Sequence, residues 1–318
     1  MNKYFRAAVL TPALVALASF VIAPGAVSAQ DEEAGFFDVM AEADPPTFDT
    51  AEALVKAFGE AVAADDLGAF AVLLGLDPEQ VKADENAKVT FANIRAGVEQ
   101  RVVVVGLEDR VILDIGRFLW PFPFPGVKGE DGKWAFDTVA GLEEVVNRRV
   151  GRNELVAIET AREYVEAQEL YALIDRDGDG VSEYAQKIVS SDGATDGLYW
   201  PETLDAGVSP AGGFASQEVI DKALEGEGYF GYNFRILTSQ GPEIAGGSHD
   251  YVINGNMIAG YALVAWPVTY AETGVHTFLV SHHGTIYEAD LGPETETIVK
   301  YITSFNPDES WRVVGEDE

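Results

Sequence analysis

The chain has 318 residues, 47% of them hydrophobic, with 17 Phe, 12 Tyr and 5 Trp; this is enough apolar surface to fill the cores of two domains, and it excludes an extended disordered chain. It carries 53 acidic residues against 21 basic ones, a net charge of -32, which excludes nucleic acid and anionic lipid headgroups as partners on electrostatic grounds. The acidity reads first as a solubility device, and it also suits a cation-rich exterior, a basic partner or a saline habitat.

The N-terminus has the layout of a signal peptide. Lys3 and Arg6 give a positive start, Ala7 to Ile22 is apolar, and Val27-Ser28-Ala29 is a small-residue cleavage site. Cleavage there makes Gln30 the first mature residue. The apolar run is short of a full membrane span, and no later run is long enough for one. The chain has no Cys, so an exported product has no disulfides and no thiolate metal site. The expected compartment is periplasmic or secreted, with no membrane-spanning segment after cleavage.

Residues 30–46 form an acidic linker ending in Pro45-Pro46. Asp49 and Glu52 are spaced as a capping box, and Ala51, Leu54, Val55, Phe58 and Val62 share one helical face. A second short helix carries Leu67, Phe70, Leu73 and Leu74 and stops at Gly75. Asp77-Pro78 opens a third, with Asp77 as cap and proline in the first turn. The period then changes to strand at Val102 to Val105, Val111 to Ile115 and Trp134 to Phe136. Residues 47–140 thus read as an N-terminal α+β domain of helices and a small sheet. Within it the run Trp120-Pro121-Phe122-Pro123-Phe124-Pro125 reads as a core-packed crossover rather than an exposed recognition edge.

Residues 141–318 read as the second domain. Gly141 to Val150 continues as helix, Gly151 breaks it, and Asn153 caps a long helix with Leu155, Ile158, Ala161, Val165 and Ala172 on one face. Residues 192–213 read as irregular surface. From Tyr229 onward the pattern is an antiparallel meander, with Asn254-Gly255 as a strong hairpin signal. A closing helix carries Ile298, Val299, Ile302 and Phe305, and Trp311 to Val314 is a last short strand.

The long helix runs into Asp175-Arg176-Asp177-Gly178-Asp179-Gly180. On the twelve-position calcium-loop template, Asp175, Asp177 and Asp179 take positions 1, 3 and 5, Gly180 takes the sharp turn at 6, Val181 offers a carbonyl at 7 and Glu183 sits at 9. Position 12, where a bidentate Glu closes the site, is Gln186. The candidate metal ligands are therefore Asp175, Asp177, Asp179, Val181 and Glu183, and the cofactor they point to is calcium. The same residues also suit a solvated Asp/Gly turn ending a helix.

Other motifs carry less. Gly226-Glu227-Gly228-Tyr229-Phe230-Gly231 matches the dinucleotide string but has a helical pattern before it and a strand after it, the reverse of what phosphate binding needs. Ser248-His249-Asp250 are consecutive, which rarely places a triad. All four His lie between His249 and His283. His282 and His283 in a strand would face opposite sides and could not easily share an ion.

"PFPFPGV", "RRVGRNELVAI", "DRDGDGVSEYAQK", "DGLYWP", "GYNFRILTSQGP" and "YEADLGPET" occur in the order seen in an exported bacterial family, domain of unknown function 2950, which the mature chain resembles along nearly its whole length. That resemblance implies compartment and architecture but no reaction. The second domain is also similar to the globular part of type IV pilin-like proteins, on Asn153, Glu154, Gly231, Tyr232, Phe234, Thr273, Gly274, Thr277, Phe278 and Val280. This second likeness implies a helix packed on an antiparallel sheet, while the contiguous hydrophobic helix that pilin assembly needs is missing. The combined reading is an α+β protein of the envelope, pilin-like in its second half. It is a non-catalytic binding or adaptor protein for an envelope protein or small ligand, stabilised by calcium. The alternative is a carboxylate-dependent hydrolase working in a cleft between the two domains.

Overall fold

The computed structural model describes residues 39–204, 206–212, 220–221 and 223–315. The signal peptide expected at 1–29 and linker residues 30–38 lie outside them. The chain is α+β, with helices and antiparallel sheets, and it divides into two compact units that meet in sequence at Leu142 and Glu143. No helix among the described residues is long and apolar enough to cross a membrane.

The first unit begins with residues 39–48 tied down rather than loose. Met40 bridges Leu76, and Phe48 exchanges two backbone bonds of 2.7 Å with Trp134. Four helices follow, α1 (Ala51–Ala63), α2 (Leu67–Leu73), α3 (Pro78–Ala83) and α4 (Glu85–Gln100). Thr50, not Asp49, caps α1, its hydroxyl accepting from the Ala53 amide, while Asp49 pairs with Lys133 on the surface. The single third helix expected after Asp77 is two, because Asp84 leaves helical geometry and caps α4 through the Asn86 amide.

The sheet of this unit contains β1 (Val102–Gly106), β2 (Arg110–Ile115), β3 (Trp120–Pro121), β4 (Gly126–Lys128) and β5 (Trp134–Phe136). Their order is β1-β2-β4-β5, with β3 also on β2. Its core is aromatic. The Phe122 ring lies 5.0 Å from Phe58 and 5.7 Å from Phe124, and Phe70 lies 4.9 Å from Phe91. Phe122 and Phe124 are both buried, as the crossover reading of the Pro/Phe run requires, and each ring takes a large apolar surface out of water.

The helix α5 (Thr138–Tyr171) is one continuous element. The break expected at Gly151 does not occur, and Asn153 is no cap. Its side-chain amide instead donates to the Thr273 carbonyl at 2.9 Å. Of the expected stripe, Ile158 and Ala161 are buried and Val165 packs against the core, but Leu155 does not. Leu155 is 67% exposed, and the core positions are Ala157, Ile158, Ala161, Tyr164, Ala167, Gln168 and Tyr171.

In the second unit α5 packs on a five-stranded antiparallel sheet. The strands β6 (Tyr232–Leu237), β11 (Ala262–Pro267), β12 (His276–Ser281), β13 (Ile286–Asp290) and β14 (Arg312–Val313) lie in the order β14-β13-β12-β11-β6. Side chains alternate between faces along a strand, so burial of every residue from Ala262 to Ala265 shows β11 covered on both sides. A short helix α6 (Thr295–Val299) also packs on β11. Arg235 of β6 donates to the Val299 and Ile302 carbonyls at 2.6 and 2.7 Å, satisfying acceptors at the end of that helix. Two small ladders flank the sheet, β7 (Ser239–Gln240) with β8 (His249–Asp250) and β9 (Val252–Ile253) with β10 (Asn256–Met257). Residues 192–213 are irregular where described, yet Leu198, Tyr199, Trp200 and Ala211 belong to the core.

Two glycines explain how the hairpin leading into β12 meets α5 and β6. A Cβ on Gly231 would stand 2.6 Å from the Asn153 amide nitrogen, and one on Gly274 would stand 2.1 Å from the Tyr232 hydroxyl. That hydroxyl donates to the His276 carbonyl at 2.9 Å. Only glycine leaves room for these polar groups.

Candidate functional site: an acidic loop clasped to a hairpin

The acidic loop follows the C-terminus of α5, and its two ends are tied together by Gln168. This side chain is fully buried. Its Nε2 donates to the Ala185 carbonyl at 2.9 Å and its Oε1 accepts from the Ala185 amide at 2.8 Å. Nε2 also reaches the Tyr164 hydroxyl, which in turn donates to the Ala262 carbonyl of β11. One side chain thus ties together positions 17 apart in sequence and joins them to the sheet. Satisfying both backbone groups of Ala185 removes the penalty that a buried, unpaired peptide would carry.

Inside the loop the carboxylates are oriented by backbone amides. Asp175 accepts from Gly178 at 2.7 Å and Gly180 at 2.9 Å, Asp177 from Asp179 at 3.1 Å, and Asp179 from Val181 at 2.8 Å. Gly178 and Gly180 adopt φ of 78° and 90°, a turn that side chains resist. Asp175, Asp177 and Asp179 each present an oxygen such that all three lie within 4.8 Å of one another. This spacing is suited to a hard cation with oxygen ligands. The Gly180 and Gly178 amides hold the Asp175 carboxyl below its ordinary pKa.

Glu183 lies beside this cluster. Burial, followed by the charges of Asp177, Asp179 and Asp175, pushes its pKa up, against the bond its carboxylate accepts from the Met257 amide at 3.2 Å. Val181 meets Asp179 through its amide. Gln186, at the template's closing position, points elsewhere and donates to the Gly255 carbonyl at 2.7 Å. Arg176, the one cation within the acidic run, is drawn off the carboxylates. Its guanidinium stacks 4.7 Å from the Tyr171 ring and 4.9 Å from the Trp200 ring.

The loop is fastened to the β9–β10 hairpin, a relationship that the sequence did not disclose. Asn254 and Gly255 take φ of 53° and 98°, the two left-handed positions of a tight hairpin turn. Beyond the Gln186 bond, Asn256 Nδ2 donates to Asp179 at 2.6 Å, and the Tyr184 amide donates to the Met257 carbonyl at 2.8 Å. The signal for this contact was weak, an Asn just past a turn, with no local reason to pair it with an Asp 77 residues earlier.

The remaining motifs do not assemble a reaction centre. Ser248, His249 and Asp250 enter or lie on the exposed strand β8, and the His249 ring Nδ1 lies 3.2 Å from the Gly247 carbonyl. Gly226 to Gly231 precede strand β6, not a helix. His282 and His283 lie in the turn expected between Val280 and Thr285, with ring centroids 4.1 Å apart. Within that pair, burial and the neighbouring His283 push the His282 pKa down. His276 is bound to Glu154.

A family model described as Protein of unknown function (DUF2950) matches residues 46–314. No curated protein and no solved structure matches the chain, so the pilin likeness of the second half finds no counterpart there.

Proposed function

We propose for this chain, which belongs to the DUF2950 family, the role of an exported, non-catalytic binding or adaptor protein of the bacterial envelope whose acidic loop takes up calcium. The observation that carries the calcium reading is the gathering of Asp175, Asp177 and Asp179, each already oriented by a backbone amide. Three carboxylates so close repel one another, and a divalent cation converts that repulsion into attraction. Glu183 and the Val181 carbonyl supply further oxygens, and water fills the place Gln186 leaves. An open, solvent-facing site of this kind suits the millimolar calcium outside cells. Because Asp179 and Glu183 also hold the β9–β10 hairpin, the ion stiffens that hairpin with the loop. Export rests on the Lys3, Arg6 and Ala7 to Ala29 pattern, and the partner is an envelope protein or a small ligand.

The test is thermal unfolding of the chain from Gln30 onward, with calcium and with chelator, for wild type and Asp177→Ala. Calcium raises the wild-type midpoint and leaves the variant unmoved. An unmoved wild type contradicts the calcium reading. Export is checked separately by N-terminal sequencing of protein secreted from a bacterial host, which returns Gln30.

A further inference from the structure

Strand β1 (Val102–Gly106) is the edge of the first unit's sheet. Its sequence, Val-Val-Val-Val-Gly, contains no charge and no proline. Among the described residues, the other edges of the two five-stranded sheets differ from it. Phe48 covers the far edge of the same sheet at Trp134, β14 is two residues long, and β6 carries Arg235. Val104 and Val105 are 48% and 44% exposed, and Leu107 just beyond is 64% exposed.

The register tells which backbone groups are free. β1 pairs with β2 so that Val103 faces Asp114 and Val105 faces Ile112. On the same register, the Arg101 carbonyl accepts from Gly116 and the Leu107 amide donates to the Arg110 carbonyl. Hydrogen-bonded pairs alternate in an antiparallel ladder, so odd-numbered residues bond to β2. Val102, Val104 and Gly106 therefore turn their N–H and C=O groups outward, and no described backbone group meets them.

The charges at the ends of the strand select the occupant. Arg101 precedes β1, and Glu108 and Asp109 follow its exposed end. A second β1 laid antiparallel about a two-fold axis at Val104 pairs Val102 with Gly106 of the other copy and sets Arg101 across from the other copy's Leu107, next to the acidic turn residues Glu108 and Asp109. Symmetry repeats the pair at the other end. A parallel arrangement would set like charge against like. We propose that two copies of this chain associate by antiparallel pairing of their β1 strands, joining their first-unit sheets into one. The diffuse repulsion between two acidic chains decays over a Debye length of about 8 Å at physiological ionic strength, whereas an arginine set next to an acidic turn lies inside that length.

Sedimentation equilibrium of the chain from Gln30 onward, over a concentration series, tests this. Wild type shifts from the mass of one chain to that of two. Val104→Pro removes an outward N–H that β2 does not use, so it abolishes the dimer while leaving the thermal midpoint near wild type. Arg101→Glu weakens association by about tenfold or more, and adding Glu108→Arg restores it. Wild type with the mass of one chain at every concentration overturns the proposal. A dimer that survives Val104→Pro in a folded protein also overturns it, since the strands then pair elsewhere or a different surface associates.

Discussion

Glu154 of α5 and His276 of β12 are joined through one oxygen, which makes two contacts to His276 and a third to Val275. Glu154 Oε1 accepts from the Val275 and His276 amides, each at 2.9 Å, and lies 3.2 Å from the His276 ring Nδ1. With Asn153 bound to Thr273, this fixes the hairpin before β12 to the helix. Burial opposes the Glu154 charge, but the bonds from His276 and Val275 prevail and its pKa falls below the ordinary 4.5. The bond to Glu154 raises the His276 pKa above 6.5, against burial.

The pH dependence follows from those directions. The raised His276 contributes stability that is full below its unfolded pKa of 6.5 and is lost as pH rises through the folded value. The depressed Glu154 contributes stability that is present above 4.5 and is lost as pH falls through the folded value. The pair therefore stabilises most between those two limits. Glu154→Gln should cost about 2 kcal/mol or more at about pH 5.5, and less at about pH 8.5. Denaturant unfolding at both pH values measures this, and an equal loss at both would refute the coupling.

Gln168 should be among the least replaceable polar residues of the second unit. Gln168→Ala leaves the Ala185 amide and carbonyl buried without partners and frees the Tyr164 hydroxyl from one bond. The expected loss is about 2–4 kcal/mol, seen as a drop in the thermal midpoint. A loss under about 0.5 kcal/mol would mean that water replaces the side chain.

Gly151 is the converse case. It lies inside α5, its φ is not left-handed, and a Cβ there meets nothing within 4 Å. Gly151→Ala should therefore stabilise by about 0.5–1 kcal/mol, because alanine surrenders less backbone freedom on entering a helix. A lower midpoint in the variant would show that the helix does bend there.

Gly151 also shows what sequence reasoning can and cannot see. Turn chemistry is local, so Asn254-Gly255 was legible, as were the carboxylates of residues 175–179 and the alternation of β11 and β12. Asn153 looked like a cap because Asn is a good cap. Its actual partner is 120 residues away, and that tertiary bond, with those of Glu154, holds the helix through a glycine. Leu155 was assigned to the core by its position in an apolar stripe. The face that packs keeps Ile158 and Ala161 but turns toward Tyr164, Gln168 and Tyr171, whose polar tips find backbone partners on other elements. In each case local propensity was outweighed by a contact distant in sequence.

The most direct test of the calcium loop is calorimetric titration of the chelator-stripped chain with calcium, beside Asp177→Asn. That substitution keeps the oxygen that accepts from the Asp179 amide while removing a charge. The expected result for wild type is one site per chain with Kd on the order of 10⁻⁴–10⁻³ M, and no measurable site in Asp177→Asn. Absence of binding in wild type, or equal binding in both, would show that residues 175–183 only turn the chain from α5 toward the sheet.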